Sequence, residues 1–189
     1  MIHLNSVKSR GGQSIVEAVI AVTALTIAFA GILALINRSF ALNQVITDQN
    51  IATYLAVEGI EIVRNLADGN IIQSKDFNDN FNSGSFEVSY LTVLEADDTF
   101  IDPDNKDPGL YLGGIGQESN TPLKFNRNDG YNYDAASPTN LETRFMRTIK
   151  IIPPVGPNIH VQSIVKWITK GSQSSEVMME AYIFEPPTS

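Results

Sequence analysis

The chain has no cysteine in its 189 residues, which excludes a disulfide framework, a thiolate metal site and a cysteine nucleophile. A domain without such staples must rest on its own apolar core or on a bound ion. Histidine is nearly missing too: His3 stands near the start and His160 in a strand-like run, too few for zinc chemistry. His160 reads as a half-exposed strand residue with no evident acid partner in sequence. Serine and threonine are plentiful, yet none sits in a nucleophile-elbow motif. Gly113-Gly114-Ile115-Gly116 lacks the Lys-Ser/Thr of a phosphate loop and a helical pattern behind it, so it reads as a turn. Nothing in these residues argues for catalysis. Positive charge is scarce in the middle of the chain, where residues 68–142 carry fourteen Asp and Glu against Lys75, Lys106, Lys124 and Arg127. Such an acidic region does not attract nucleic-acid phosphates, and no direct nucleic-acid partner is expected.

Charge of either sign is absent from residues 18–36. At about 1.5 Å per residue this run reaches roughly 28 Å, close to the thickness of a bilayer's hydrocarbon core. No proline interrupts it, and Gly31 is its one weak point as a helix. Ala21, Ala24, Ala28 and Gly31 recur at three- and four-residue spacing, which permits close approach of a neighbouring helix; the alternative is an alanine-rich span with no specified partner. One carboxylate, Glu17, stands at the mouth of the run. It costs a few kcal/mol on insertion scales, which makes it a functional-site candidate, unless it is a shallow residue that reaches the headgroups. Lys8 and Arg10 precede the run and hold that end in the cytoplasm, so the remainder lies outside.

The order of these features, Arg10-Gly11-Gly12-Gln13-Ser14-Ile15-Val16-Glu17 followed by the apolar helix, resembles the class III signal of type IV prepilins and pseudopilins. The resemblance covers roughly the first fifth of the chain. It implies that a membrane-embedded prepilin peptidase cuts after Gly12 and methylates the new N-terminus at Gln13. It also implies that Glu17, fifth residue of the mature chain, is the assembly contact, paired with the amine at Gln13 of a neighbouring subunit. The family usually starts its mature chain with Phe or Met, whereas here the residue is Gln13. Loss of Lys8 and Arg10 with the leader would take the net charge from −8 to −10. The segment Ala52-Thr53-Tyr54-Leu55-Ala56-Val57-Glu58-Gly59-Ile60-Glu61-Ile62-Val63-Arg64-Asn65 also looks like one recurrent in prepilins of this class.

Beyond the span, no Pro or Gly occurs between Asn37 and Gly59, so the helix is expected to continue. Ala52, Leu55, Ala56, Gly59, Val63 and Leu66 fall on one helical face that should lie against a head domain, with Asp48, Glu58, Glu61 and Arg64 turned elsewhere. Glu61 and Arg64 have the spacing of a weak surface pair. Residues 68–85, rich in Asn, Asp, Gly and Ser, read as a linker. Residues 85–95 alternate, with Phe86, Val88, Tyr90, Thr92 and Leu94 on one side, and predict a first strand. Residues 110–112 and 123–125 suit short strands. Residues 144–152, 159–168 and 177–185 are predicted strands of an antiparallel meander, joined by Pro153-Pro154-Val155-Gly156-Pro157 and a turn at 171–175. The first two of these also look like the last hairpin of minor-pilin heads.

The expected architecture is therefore α+β: a leader over 1–12, a transmembrane and assembly half of the helix over 13–36, an amphipathic half over 37–67, and an antiparallel β head over 68–189, a type IV pilin-like arrangement. Asp102, Asp104 and Asp107 form a possible low-specificity Ca²⁺ site, since several oxygens on one loop suit that ion. The loop lacks the turn glycine and the bidentate glutamate of a full calcium motif, and a solvated acidic loop is the alternative. No other cofactor is expected. The resemblance implies a structural filament subunit, a minor pilin in particular, whose partners are the prepilin peptidase, other pilin subunits, an assembly platform and the membrane. It would be a single-pass precursor with a cytoplasmic N-terminus and, once assembled, part of a surface or periplasmic filament. The alternatives are a pseudopilin of a type II secretion or DNA-uptake system and a signal-anchored surface binding domain that never polymerises.

Overall fold

The computed structural model describes residues 11–79, 81–90, 92–94, 100–101, 111–128, 130–134, 138–152, 158–169 and 174–187. The leader before Gly11, Asp102, Asp104 and Asp107, and the two connections around Pro153 and Gly171, lie outside them. The chain forms one helix and ten strands among these residues: α1 (Gly11–Ile72), β1 (Gly84–Phe86), β2 (Val93–Leu94), β3 (Phe100–Ile101), β4 (Tyr111–Gly113), β5 (Lys124–Asn126), β6 (Gly130–Asn132), β7 (Leu141–Glu142), β8 (Phe145–Ile152), β9 (Ile159–Ile168) and β10 (Ser174–Ile183). Two compact units divide it, one ending at Ile46 and one running from Thr47 to Ser189.

In the first unit α1 is apolar on every side. Its large residues, among them Val19, Leu25, Phe29 and Leu33, are all exposed. By length and composition this helix is able to cross a membrane. Its hydroxyls do not oppose that: Thr23 donates back to Val19 O at 2.6 Å and Thr26 to Val22 O at 2.8 Å, so neither presents an unpaired group to an apolar surrounding.

In the second unit the helix packs on an antiparallel sheet, the expected α+β arrangement. The five-stranded sheet has the order β10-β9-β8-β1-β4. β8, β9 and β10 form the predicted meander, with β9 on its predicted bounds and β10 starting earlier and ending earlier than 177–185. Alternation of β-branched and polar residues drives these three strands. Phe145, Ile149 and Ile151 of β8 and Val161, Val165 and Trp167 of β9 are buried, while Met146, Lys150, Gln162 and Lys166 are only partly covered. Two clusters make the core. One sets Ile60, Val63 and Ala67 of α1 on Phe86, Val88, Ile149, Ile151, Ile159 and Val161. The other sets Ala52, Leu55 and Ala56 on Leu123, Tyr133, Phe145, Val165 and Trp167.

Gly59 lies between them. A Cβ there would stand 2.5 Å from Ile149 Cδ1 and 2.6 Å from Ser163 Oγ, so only glycine lets the helix approach the sheet this closely. Of the predicted face, Leu66 is only partly buried.

Four expectations are corrected. Asp48 does not turn away from the head: it is 2% exposed and accepts from Arg144 Nη2 at 2.8 Å. Glu58 is not fully turned away either, since its carboxylate comes within 3.5 Å of Arg147 Nη1. The helix runs to Ile72 instead of ending near Ala67. Its end is a tight cap in which Ser74 N donates to Ile71 O and Lys75 N to Asn70 O, both at 2.9 Å, with Ser74 left-handed at φ 58°; this is the Schellman pattern. The buried Asn70 side chain then donates to Asp79 O at 2.8 Å, which ties down the front of the linker.

The fourth correction concerns the strand predicted over 85–95. β1 is only three residues long, and β2 is a separate two-residue strand paired with β3. Ser85, Glu87 and Ser89 are as buried as Phe86 and Val88, while Tyr90 is half exposed. The second face is covered at Glu87 by Ser119, whose hydroxyl donates to the Glu87 carboxylate and whose N donates to Thr148 Oγ1 at 2.8 Å, and at Ser85 by Gly114, whose carbonyl accepts from Ser85 Oγ at 3.1 Å. The two short strands expected at 110–112 and 123–125 appear as β4 and β5, each displaced by one residue. The predicted glycine turn is present too, closed by Gln117 N donating to Gly114 O at 2.9 Å.

Candidate functional site

The strongest sequence candidate, Glu17, is exposed in the first unit of α1. Gly12 and Gln13 precede it within the same helix. At about 100° per residue, Ala21, Ala24, Ala28 and Gly31 all project within about 40° of the Glu17 direction. All four are exposed, and nothing lies within 4 Å of a Cβ placed on Gly31. Glu17 therefore heads a smooth strip of small residues, the surface on which a second helix makes its closest approach. Ile15, Ala18, Val19, Val22 and Thr23 line a shallow apolar groove that points roughly 180° away from Glu17. One face of this helix offers a carboxylate and a flat contact, and the other offers a groove.

A carboxylate beside so much apolar surface acquires its role from what covers the helix. Each Val, Leu, Ile or Phe on it gains about 1.5–3 kcal/mol when taken out of water, so the surface demands lipid or other chains. Once it is covered, an unpaired Glu17 becomes costly and a cation across from it is favoured.

The second unit holds a different polar construction. Arg147 is 0% exposed. Its alternation partners Phe145 and Ile149 face the core, and the same parity sends the guanidinium inward. There it donates from Nη1 to Leu55 O of α1 at 3.1 Å and from Nη2 to Val88 O at 2.7 Å, with Glu58 providing the nearby negative charge. Arg147 Nε has no hydrogen-bond partner. Tyr133 closes the group by donating its hydroxyl to Arg147 O at 3.0 Å. Burial, and then the charge of Glu58, push the neighbouring Tyr131 hydroxyl above its usual pKa of 10.0. About two turns before Leu55, the Asp48–Arg144 pair repeats the helix-to-sheet tie, and Arg144 also lies over the Phe145 ring at 5.8 Å. These charges fasten helix to sheet.

On the far face of the sheet, Glu118 sits between Lys166, which it contacts directly, and Lys150 at 3.7 Å. The hydrogen bond from Lys166 holds the Glu118 carboxyl below its ordinary value of 4.5, and Glu118 lifts Lys166 above 10.5. His160, expected to lack an acid partner, has one across the strands: it contacts Glu180 and stacks on Tyr182 with centroids 4.3 Å apart.

Sequence reasoning missed Arg147, Asp48 and Glu58 as structural contacts. The parity of β8 was the available signal for Arg147, whereas Asp48 and Glu58 gave none without their partners. Among the described residues, no group of three or more His, Asp or Glu is placed to hold a metal ion. No protein-family model, curated protein or solved structure matches this chain.

Proposed function

We propose that this chain is the precursor of a subunit of a type IV pilus-like filament, a minor pilin, cut after Gly12 and assembled through its N-terminal helix. The observation that carries the reading is Glu17: a single carboxylate at the head of a small-residue strip on a helix with exposed apolar residues from Ile15 to Ile46. The register of Gly12 and Gln13 with Glu17, and the antiparallel sheet under the helix's C-terminal half, add to it. Lys8 and Arg10 hold the N-terminus in the cytoplasm, and the head is delivered outside.

In the bilayer Glu17 lies near the boundary, within reach of water. When the subunit moves into a filament, neighbouring helices cover the apolar surface and Glu17 loses that access. The α-amine of Gln13 on an adjacent subunit, freed by cleavage, then supplies the compensating cation. Such a buried pair fixes axial register more than it adds stability. The small residues below Glu17 allow the helices to approach until the two charges meet.

Cleavage tests this reading. Expressed with a prepilin peptidase, the chain should lose residues 1–12, and mass spectrometry should find Gln13 as an N-methylated terminus. A chain that keeps its leader contradicts the proposal and favours the anchored surface domain. A cyclised Gln13, which carries no charge, removes the proposed cation.

A further inference from the structure

We propose that the free edge of β10 is a docking site for an extended segment of another protein whose side chains alternate between basic and apolar. β10 pairs with β9 at all ten positions from Ser174 to Ile183, without a bulge, and it ends the sheet order on that side. Among the described residues no other strand pairs with it, so its outer edge is a continuous row of backbone donors and acceptors.

Edge strands are normally blunted by charged side chains, lysine above all, by proline, by a bulge, by shortness or by a covering loop. β10 has no lysine, proline or bulge along its ten residues, its only charges being Glu176 and Glu180, and the first prolines after it are Pro186 and Pro187. An edge of this kind accepts an added strand, with backbone hydrogen bonds giving affinity and alternate side chains giving specificity.

The two faces of β10 define the occupant. On the core side, Val177, Met179 and Ala181 are only partly buried although they pack against the core clusters, so apolar side chains on an added strand would complete their cover. On the outer side stand Glu176, Met178, Glu180 and Tyr182, all exposed. Lys166 lies 3.6 Å from Glu176, whose side chain is still 61% exposed. Among the described residues, Glu180 has His160 as its one charge partner. Lysine or arginine at every second position of the added strand would meet these carboxylates. A second copy of this chain is a poor occupant: pairing β10 with β10 gathers four glutamates on one face, between chains of net charge −8 each. The inference does not rest on the filament reading.

The full chain in neutral detergent micelles is titrated into the fluorescent peptide Val-Lys-Val-Lys-Val-Lys-Val-Lys and, separately, into its block isomer Val-Val-Val-Val-Lys-Lys-Lys-Lys. The alternating peptide should bind at least about tenfold tighter, and E176Q/E180Q should cost it about tenfold. Met178→Lys should weaken it similarly, and the amides of residues 174–183 should gain protection from hydrogen exchange. Equal binding of the two isomers overturns the proposal with the unaltered chain alone, as does an absence of binding or a double variant that binds like the parent. A peptide-free dimer abolished by Met178→Lys also overturns it, by assigning the edge to a second copy.

Discussion

Arg147 on β8 donates to the carbonyl of Leu55 in α1 at 3.1 Å, a contact between residues 92 positions apart. It is made by an arginine that no solvent reaches, so its removal leaves the Val88 carbonyl and the Glu58 carboxylate without their cation. Arg147→Ala should lower stability by about 3–5 kcal/mol. Arg147→Met, which keeps the volume, should cost less. Urea unfolding of the full chain in micelles checks both, and equal losses would mean that the lost hydrogen bonds and charge, not packing, govern the site.

Gly59 and Gly31 should respond in opposite ways to the same substitution. Gly59→Ala drives a methyl into Ile149 and Ser163 and should cost about 1–3 kcal/mol. Gly31→Ala meets open space and should favour the isolated helix by up to about 1 kcal/mol. The same Gly31 variant should nevertheless reduce recovery in filaments, because it thickens the strip below Glu17. Thermal melts and sheared-filament yields separate the two effects.

Stability should fall on both sides of a plateau in pH. Glu118 is held below 4.5 mainly by the Lys166 hydrogen bond, so its contribution is present above that value and is lost as pH falls through the lowered native one. Lys166 is raised above 10.5 by Glu118, so its contribution is present below that value and is lost as pH rises through the raised native one. Glu118→Gln should lower the plateau by about 0.5–1 kcal/mol, as expected of a partly exposed pair, and flatten both limbs. Melting temperature against pH for the two proteins reads this directly.

Ser74 occupies the left-handed position of the helix cap at φ 58°, where glycine carries no Cβ penalty. Ser74→Gly should stabilise the chain by about 0.5–1 kcal/mol. An unchanged or lowered melting temperature would show that the serine side chain makes up the difference.

The parts of this fold that were legible share a cause: they depend on one local period. The apolar helix announced itself because one carboxylate stands against an uncharged run, and β8, β9 and β10 because apolar and polar residues alternate. The helix end was misread because Gly69 and Asn70 have the composition of a linker, while Asn70 is in fact a buried anchor for it. The strand expected over 85–95 was overlong because its alternation assumed one wet face, whereas Ser85, Glu87 and Ser89 are buried there, with Ser119 on Glu87 and Gly114 on Ser85. Asp48 looked like a solvent residue until Arg144, far along the chain, supplied its partner. At the candidate site, Glu17 was legible as a charge out of place. That it shares a face with Ala21, Ala24, Ala28 and Gly31 follows from the same helical period of about 100° per residue.

The account stands on Glu17, and the most direct measurement is incorporation of Glu17→Ala into sheared surface filaments, in a host that supplies the peptidase and assembly machinery. The variant should insert in the membrane and be cut after Gly12 like the parent, and its recovery in filaments should fall by about tenfold or more. Recovery at the parental level, with normal cleavage, would contradict the assignment of Glu17 as the assembly contact.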